Sequence, residues 1–142
     1  KVFLGGNIGR PLLPLIEEIE ENDVVVTELS SFQLTMMEKK PHVAVVTNVA
    51  PNHLDWHTDM NEYIEAKRNL ISYQKTEDRT VLNLDNEVTA EFGKKAPAGE
   101  VFFFSRKQLP TIGSYLDEEN NLCYIDGNKK TVVMNAKDIK IL

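Results

Sequence analysis

The fold is decided by one stretch of the sequence, Val24-Val25-Val26-Thr27-Glu28-Leu29-Ser30-Ser31-Phe32-Gln33-Leu34. Its first four residues are all β-branched, a pattern that predicts a buried strand of a parallel sheet. Ser30 and Gln33 stand three residues apart, which is the spacing of a capping box and predicts the first turn of a helix. A strand that leads directly into a helix is the repeating unit of an α/β fold.

The same alternation extends in both directions from this unit. Further strands are predicted at Val2–Leu4, Val43–Val46, Thr80–Asn83 and Val101–Phe104, and helices at Pro11–Ile19, Phe32–Lys39, Met60–Gln74 and Glu87–Lys94. This order predicts a single α/β domain over residues 1–142, in which helices flank a mostly parallel sheet with right-handed crossovers.

The last third of the chain has a different pattern. Apolar residues on both sides of Asp117–Asn121 predict a hairpin, and Asp126-Gly127-Asn128 predicts a second turn that leads into Thr131–Met134. We expect these strands to form a small antiparallel sheet packed against the main sheet.

Composition restricts the class of protein. The 142 residues are 42% hydrophobic and 27% charged, which is ordinary for a soluble globular domain, and the net charge of −6 does not favour nucleic-acid binding. The single cysteine, Cys123, excludes an internal disulfide and agrees with a reducing cytoplasm, where we expect the protein to work. No apolar run approaches the ~20 residues that cross a bilayer, so we expect no membrane association.

Two features stand at the carboxyl ends of the first two predicted strands. Glu28 ends the β-branched run, and open α/β sheets bind ligands beyond such ends. Glu28 is therefore a candidate to hold a metal or to position a water, and the alternative is a solvent-facing glutamate. The segment Gly5–Gly9 would let backbone approach a ligand closely, but a tight turn ahead of Pro11 is the favoured interpretation.

A predicted loop contains His53-Leu54-Asp55-Trp56-His57. Two histidines and an aspartate within five residues are a candidate transition-metal site, whereas the alternative is a polar loop whose side chains hold its own backbone. A metal-dependent hydrolase is one hypothesis for the function. Its site would comprise Glu28, His53, Asp55 and His57.

Lys67 lies within the apolar stripe of the predicted helix Met60–Gln74. The stripe has helical spacing and comprises Met60, Tyr63, Ile64, Leu70 and Ile71. A charged amine that faces a core is costly unless it is paired or neutralised. Lys67 therefore either packs its stem and keeps its ammonium group in water, or is a reactive or modified lysine.

Together these segments resemble the Mur ligase family over nearly the whole chain. Glu28–Leu34 is similar to the E-L-S-S-F-Q-L segment of the member that adds D-glutamate, and Gly6–Gly9 is similar to its G-N-I-G turn. Further matches are Thr47-Asn48-Val49 followed by His53-Leu54-Asp55, Glu65-Ala66-Lys67, and Asn83-Leu84-Asp85-Asn86.

The resemblance implies roles for individual residues. The residues that match Glu28 and His53 bind a magnesium ion at the γ-phosphate. The lysine that matches Lys67 is carbamylated by carbon dioxide, and its carbamate supports a second magnesium ion. His57 matches no constant element of the family and is left out of the metal set. Positions near the UDP-muramoyl substrate are matched by Asn7, Ser30 and Gln33.

The implied activity is the ATP- and Mg²⁺-dependent joining of D-glutamate to UDP-N-acetylmuramoyl-L-alanine in peptidoglycan synthesis. The resemblance places a P-loop before Lys1 and a G-x-H-N-x-x-N segment after Leu142. We therefore interpret the chain as a fragment of a central nucleotide-binding domain without its P-loop strand. We expect it to be inactive alone, and either to draw its sheet together or to self-associate. The alternatives are another Mur ligase, which adds L-alanine or a diamino acid, and a non-catalytic interaction module.

Overall fold

Strands and helices alternate along the first two thirds of the chain, as the sequence predicts. The computed structural model describes residues 1–51, 57–96 and 98–140. The strands are β1 (Val2–Gly6), β2 (Val24–Glu28), β3 (Val43–Val46), β4 (Arg79–Asn83), β5 (Glu100–Ser105), β6 (Ile112–Leu116), β7 (Asn121–Asp126) and β8 (Lys129–Asn135). The α-helices are α1 (Ser31–Thr35), α2 (Met60–Ser72) and α3 (Glu87–Lys94), and 3-10 helices span Leu13–Glu18 and Ala136–Asp138.

Strands β3 to β8 form one six-stranded sheet in sequence order. β3, β4, β5 and β6 are parallel, whereas β7 and β8 are antiparallel to their neighbours. The prediction of a mostly parallel sheet and C-terminal antiparallel strands is confirmed. The expectation that those strands form a separate sheet is wrong, because β6 pairs with both β5 and β7.

Gly113 of β6 lies at this junction between the parallel and the antiparallel strands. It pairs with Phe103 of β5 on one side and with Ile125 of β7 on the other. Its φ is +133°, and a Cβ atom there would lie 1.8 Å from the carbonyl oxygen of Phe103. Only glycine adopts this backbone and permits this approach, so Gly113 lets the parallel sheet continue into the hairpin.

Strands β1 and β2 form a separate parallel pair, in register from Val2 opposite Val24 to Gly6 opposite Glu28. The predicted strand is therefore present, but the expectation that it is buried is wrong. Val24 is 55% exposed and Val26 is 48% exposed. The physical reason is that, within the described ranges, β2 belongs to a sheet of only two strands, and its side chains are exposed on both faces, whereas a buried parallel strand is covered on both.

Two predicted helices are shorter than the sequence pattern indicates. The segment Pro11–Ile19 contains only a 3-10 helix, Leu13–Glu18. An α-helix that began at Pro11 would need an N–H group at Pro14 for its first hydrogen bond, to the carbonyl oxygen of Arg10, and proline has none. Phe32–Lys39 was expected to be helical, but α1 covers Ser31–Thr35. The side-chain amide of Asn69 on α2 donates hydrogen bonds of 3.0 and 3.3 Å to the last carbonyl groups of α1.

The core lies between the parallel part of the six-stranded sheet and helices α2 and α3. Partly buried side chains from α2, α3 and β5 pack around it. Its buried members are Ala44, Val46, Val49, Tyr63, Ile71, Leu82 and Phe92.

The exposed edge of β2 predicts self-association of this chain, because an unpaired apolar strand edge is a template for another strand. We expect the chain to sediment as dimers or larger species, and Val25→Lys to shift it towards monomers, since an edge lysine opposes pairing. Val132→Lys is the comparison on the edge strand β8, where Val132 is 56% exposed but Lys129 and Lys130 already oppose pairing. Analytical ultracentrifugation tests this. A monomeric parent chain, or a larger effect of Val132→Lys, would contradict it.

A buried aspartate joins the amino-terminal ends of β3, β4 and β5. The Asp78 carboxylate is fully buried and accepts hydrogen bonds from Lys40 Nζ at 2.7 and 2.5 Å and from the backbone N–H of Lys75 at 2.7 Å. His42 Nδ1 lies 3.1 Å from it. The hydrogen bond from Lys40 is the main cause that lowers the pKa of Asp78 to about 2.

This depressed pKa predicts a pH-dependent contribution of Asp78 to stability. Because an unfolded aspartate has a pKa of about 3.9, the stabilisation is complete above about pH 4 and is lost as the pH falls towards 2. We expect Asp78→Asn to lower Tm by about 5–10 °C at neutral pH and by much less near pH 2.5. Thermal unfolding across this range checks it, with the exposed Asp126→Asn as control. A deficit that stays constant with pH would contradict the assignment.

Candidate functional site

The carboxyl ends of β1 and β2 bring Asn7 and Glu28 together. The backbone N–H of Asn7 donates to the carbonyl oxygen of Glu28 at 2.8 Å, and Asn7 Nδ2 donates to Glu28 Oε1 at 3.4 Å. Gly6 permits this approach: its φ is +121°, and a Cβ atom there would lie 2.2 Å from the Glu28 carbonyl oxygen. The close approach that the glycines allow is therefore to the protein's own backbone, and it fixes the position of Asn7 beside an exposed carboxylate.

Ser30 and Gln33 form the predicted capping box at the start of α1. Ser30 Oγ accepts a hydrogen bond from the Gln33 N–H at 3.4 Å, and Gln33 Oε1 accepts one from the Ser30 N–H at 2.9 Å. The Ser30 hydroxyl also donates to Gln33 Oε1 at 3.0 Å. The capping box gives N–H groups at the start of α1 hydrogen-bond acceptors. Its first residue, Ser30, follows Glu28 by two positions, so the chain enters α1 directly after the end of β2.

Lys67 lies on α2, within a stripe whose buried members are Tyr63, Ala66 and Ile71. The lysine is half-buried, and its Nζ lies 5.7 Å from the centre of the Tyr63 ring. Burial lowers the pKa of Lys67, and the negative charge of Glu28 opposes this shift. The structure thus places Lys67 within electrostatic reach of Glu28, although 39 residues separate them in the sequence.

His57 lies three residues before the start of α2 and is buried, with 5% of its surface exposed. Its Nε2 is 2.9 Å from Ser31 Oγ, and its Nδ1 is 4.0 Å from Glu62 Oε1. The ring stacks on Phe32 at 5.6 Å between centroids and meets the Tyr63 ring edge-on at 5.4 Å. Both ring nitrogens face protein groups, which argues against His57 as a metal ligand of the hydrolase hypothesis.

Two predicted site residues in the loop, His53 and Asp55, lie outside the described residues. Within residues 1–51, 57–96 and 98–140, no group of three or more His, Cys, Asp or Glu side chains is arranged to hold a metal. Of the predicted site residues, the structure joins Asn7 to Glu28 by a hydrogen bond and places Ser30 and Gln33 on the turn that follows Glu28. Lys67 lies on α2, which is joined to α1 by hydrogen bonds from Asn69.

The segment Asn83–Asn86 anchors the chain that leads towards His53. Asn83 Nδ2 donates to the carbonyl oxygen of Thr47 at 3.0 Å. Asn86 Nδ2 donates to Asn48 Oδ1 at 2.8 Å and to the carbonyl oxygen of Val49 at 3.0 Å. These asparagines therefore fix the exit of β3, a role that the sequence match alone did not reveal.

The sequence and the fold together define the class of protein. A family model described as the Mur ligase middle domain matches residues 8–141, and the chain belongs to that family. It is 54% identical over 141 residues to the UDP-N-acetylmuramoylalanine–D-glutamate ligase of Acetivibrio thermocellus and 52% identical over 142 residues to that of Ruminiclostridium cellulolyticum. Each alignment covers 99% of this chain, which spans 30% of the length of either relative.

Solved structures share the fold at low sequence identity. A UDP-N-acetylmuramoyl-L-alanyl-D-glutamate–2,6-diaminopimelate ligase has a TM-score of 0.56 and 20% identity, over 78% of this chain and 25% of that one. A pseudomurein peptide ligase type C from Methanothermus fervidus has a TM-score of 0.55 and 15% identity, over 94% and 41%. None of the described helices has the length and apolar character that spanning a membrane requires.

Proposed function

We propose that this chain is the central part of an ATP-dependent ligase that joins D-glutamate to UDP-N-acetylmuramoyl-L-alanine in peptidoglycan synthesis. The observation that carries the proposal is that Glu28 ends β2 just before the turn into α1, and that α1 is joined by hydrogen bonds to α2, the helix that holds the half-buried Lys67. The relatives that align with 99% of the chain are named for this reaction, which supports it over another Mur ligase. We place the reaction in the cytoplasm.

The proposed reaction forms an amide in two steps. The terminal phosphoryl group of ATP is transferred to the carboxylate of UDP-N-acetylmuramoyl-L-alanine, which gives an acyl phosphate and ADP. The amine of D-glutamate then attacks the acyl carbon, and inorganic phosphate leaves. The substrate contacts that we assign to this chain are those of Asn7, Ser30 and Gln33, beside Glu28.

The residues present suit magnesium as the metal. Glu28 offers exposed carboxylate oxygens, the ligand type that a hard divalent cation prefers. Glu28 and His53 would hold one ion, and a carbamate on Lys67 would support a second. When bound, magnesium supplies positive charge that neutralises the transferring phosphoryl group.

The environment of Lys67 supports its carbamylation. Burial lowers its pKa and so favours the neutral amine, whose lone pair can attack carbon dioxide. The new N–C bond forms as the nitrogen loses a proton, and the product carries two carboxylate-like oxygens where the amine stood. A lysine in this position thereby becomes an oxygen ligand, which the unmodified ammonium group cannot be.

The proposal is tested by comparing the full-length protein with the isolated chain of residues 1–142. We expect the full-length protein to release ADP only when both D-glutamate and UDP-N-acetylmuramoyl-L-alanine are present. The isolated chain should release none, because it spans only 30% of the length of the relatives that are named for this reaction. Release with L-alanine or a diamino acid in place of D-glutamate would assign the protein to another Mur ligase. Activity of the isolated chain would contradict the proposal that this chain supplies only part of the active site.

A further inference from the structure

A buried contact joins the segment after Glu28 to the helix that carries Lys67. Ser31, the first residue of α1, is 2% exposed, and its Oγ lies 2.9 Å from Nε2 of the buried His57. A buried hydroxyl and a buried imidazole each need a hydrogen-bond partner, and Ser31 and His57 are partners for each other. The contact therefore links two elements that are distant in sequence and that each carry a group of the proposed site.

The turn that presents His57 is itself fixed. Asp59 caps α2 by accepting a hydrogen bond from the Glu62 N–H at 2.9 Å. The Glu62 carboxylate in return accepts one from the backbone N–H of Thr58 at 2.5 Å. This reciprocal cap holds the backbone next to His57, and the Phe32 and Tyr63 rings hold the imidazole between them. The imidazole is thus constrained by packing as well as by its hydrogen bond.

A second polar contact joins the other ends of the two helices. Asn69 Nδ2 on α2 donates to the carbonyl oxygens of Leu34 and Thr35, at the end of α1. Lys67 lies between these two contacts along the sequence of α2. Because one contact lies at each end of α1, the two contacts together fix the distance between α1 and α2 and their relative rotation.

We propose that His57 is a positioning residue: through Ser31 it sets the placement of α2, and so of Lys67, relative to Glu28. The inference rests on the proposed function. His57 touches no substrate and acts only through Ser31 and the rings around it. Loss of its hydrogen bond would leave the helices packed by Asn69 and apolar contacts but free to shift by a fraction of an ångström, and a misplacement of this size is enough to slow a reaction.

The test uses the full-length protein and four variants. His57→Phe keeps an aromatic ring but loses Nε2, and Ser31→Ala removes the other partner. The double variant tests whether the two losses are coupled. His57→Gln keeps a polar group within reach of Ser31, and His42→Phe is the matched control, on a histidine whose side chain is 87% exposed. The readouts are kcat and KM for each substrate, Tm, and the ¹³C NMR signal of the Lys67 carbamate under ¹³CO₂.

We expect His57→Phe and Ser31→Ala each to lower kcat about 10-fold with KM nearly unchanged, and to weaken the carbamate signal. The double variant should be no slower than His57→Phe, and His57→Gln should recover most of kcat. His42→Phe, which loses only its contact with Asp78, should keep the kcat and the carbamate signal of the parent protein. Unchanged kcat in both single variants, or fully additive losses, would overturn the inference. A loss explained entirely by a lower Tm would do the same. If the parent protein itself has no ligase activity, the proposed function fails instead.

Discussion

In the full-length protein, Lys67→Ala is expected to lower kcat by about three orders of magnitude, the effect of removing a main group that stabilises charge in a transition state. The variant removes the amine that we propose to be carbamylated, and with it the oxygens that support a metal. A small carboxylate such as acetate or formate should restore part of the activity, because it can occupy the space that the side chain leaves. Steady-state kinetics with and without added formate measure both effects.

Two further variants and a control define the limits of this prediction. Glu28→Ala and His53→Ala should lower kcat to a similar extent, but formate should not rescue them to the same degree. Lys94→Ala is the matched control, because Lys94 is a surface lysine whose side chain is 75% exposed. Near-normal turnover in any one of the three site variants would remove that residue from the site.

Phe92→Ala is expected to destabilise the chain by about 3–5 kcal/mol, the range for truncating a buried aromatic side chain. Phe92 is 1% exposed, contributes to the core from α3 and lies beneath the guanidinium group of Arg68 at 5.4 Å. Since a domain is stable by only about 5–15 kcal/mol, the variant should be close to unfolding. Urea unfolding gives the free energy directly.

Tyr73→Ala is the control for this prediction, because it also truncates an aromatic side chain but at a site that is 46% exposed. We expect it to cost less than about 1 kcal/mol. Phe92→Leu should fall between the two, since it fills most of the cavity. Equal losses in the free energy of unfolding for Phe92→Ala and Tyr73→Ala would show that the space between the sheet and α3 is not the main hydrophobic core.

Local sequence patterns predicted the elements well where capping residues mark the ends. The helix Glu87–Lys94 was predicted with the bounds that it has, and Asn86 caps it by accepting a hydrogen bond from the Thr89 N–H. The start of α2 at Met60 was predicted as well, next to its cap Asp59. These helix starts depend on hydrogen bonds between residues three positions apart, so the local sequence is enough to predict them.

Strand pairing was predicted less well because it depends on distant residues. The run Val24–Thr27 has the composition of a buried strand, but burial requires elements packed on both faces of the sheet, and the two-stranded sheet of β1 and β2 leaves both faces of β2 exposed among the described residues. The junction at Gly113 was also missed. A single glycine between Ile112 and Ser114 does not reveal that it will lie against the carbonyl oxygen of Phe103 on another strand.

The candidate site was predicted in part. Glu28 and Lys67 were singled out by a strand end and an interrupted stripe, and the structure places them on β2 and α2, two elements that both adjoin α1. His57 was set aside because it matches no constant element of the family, whereas the structure gives it a buried partner in Ser31. That partner is 26 residues away, and no local pattern connects the two. The roles of the site residues in catalysis stay predictions.

The anchors of the chain around residues 52–56 bear on the entropy of ligand binding. On one side Asn83 and Asn86 hold the backbone from Thr47 to Val49, and on the other Ser31 holds His57. Fixing a backbone residue costs roughly 1–2 kcal/mol of conformational entropy. Because folding has already fixed Thr47 to Val49 and His57, the nucleotide and metal that we propose would not have to supply that free energy for these segments. These anchored segments are in this sense preorganised, and in the proposed reaction more of the binding free energy would be left to favour the transition state.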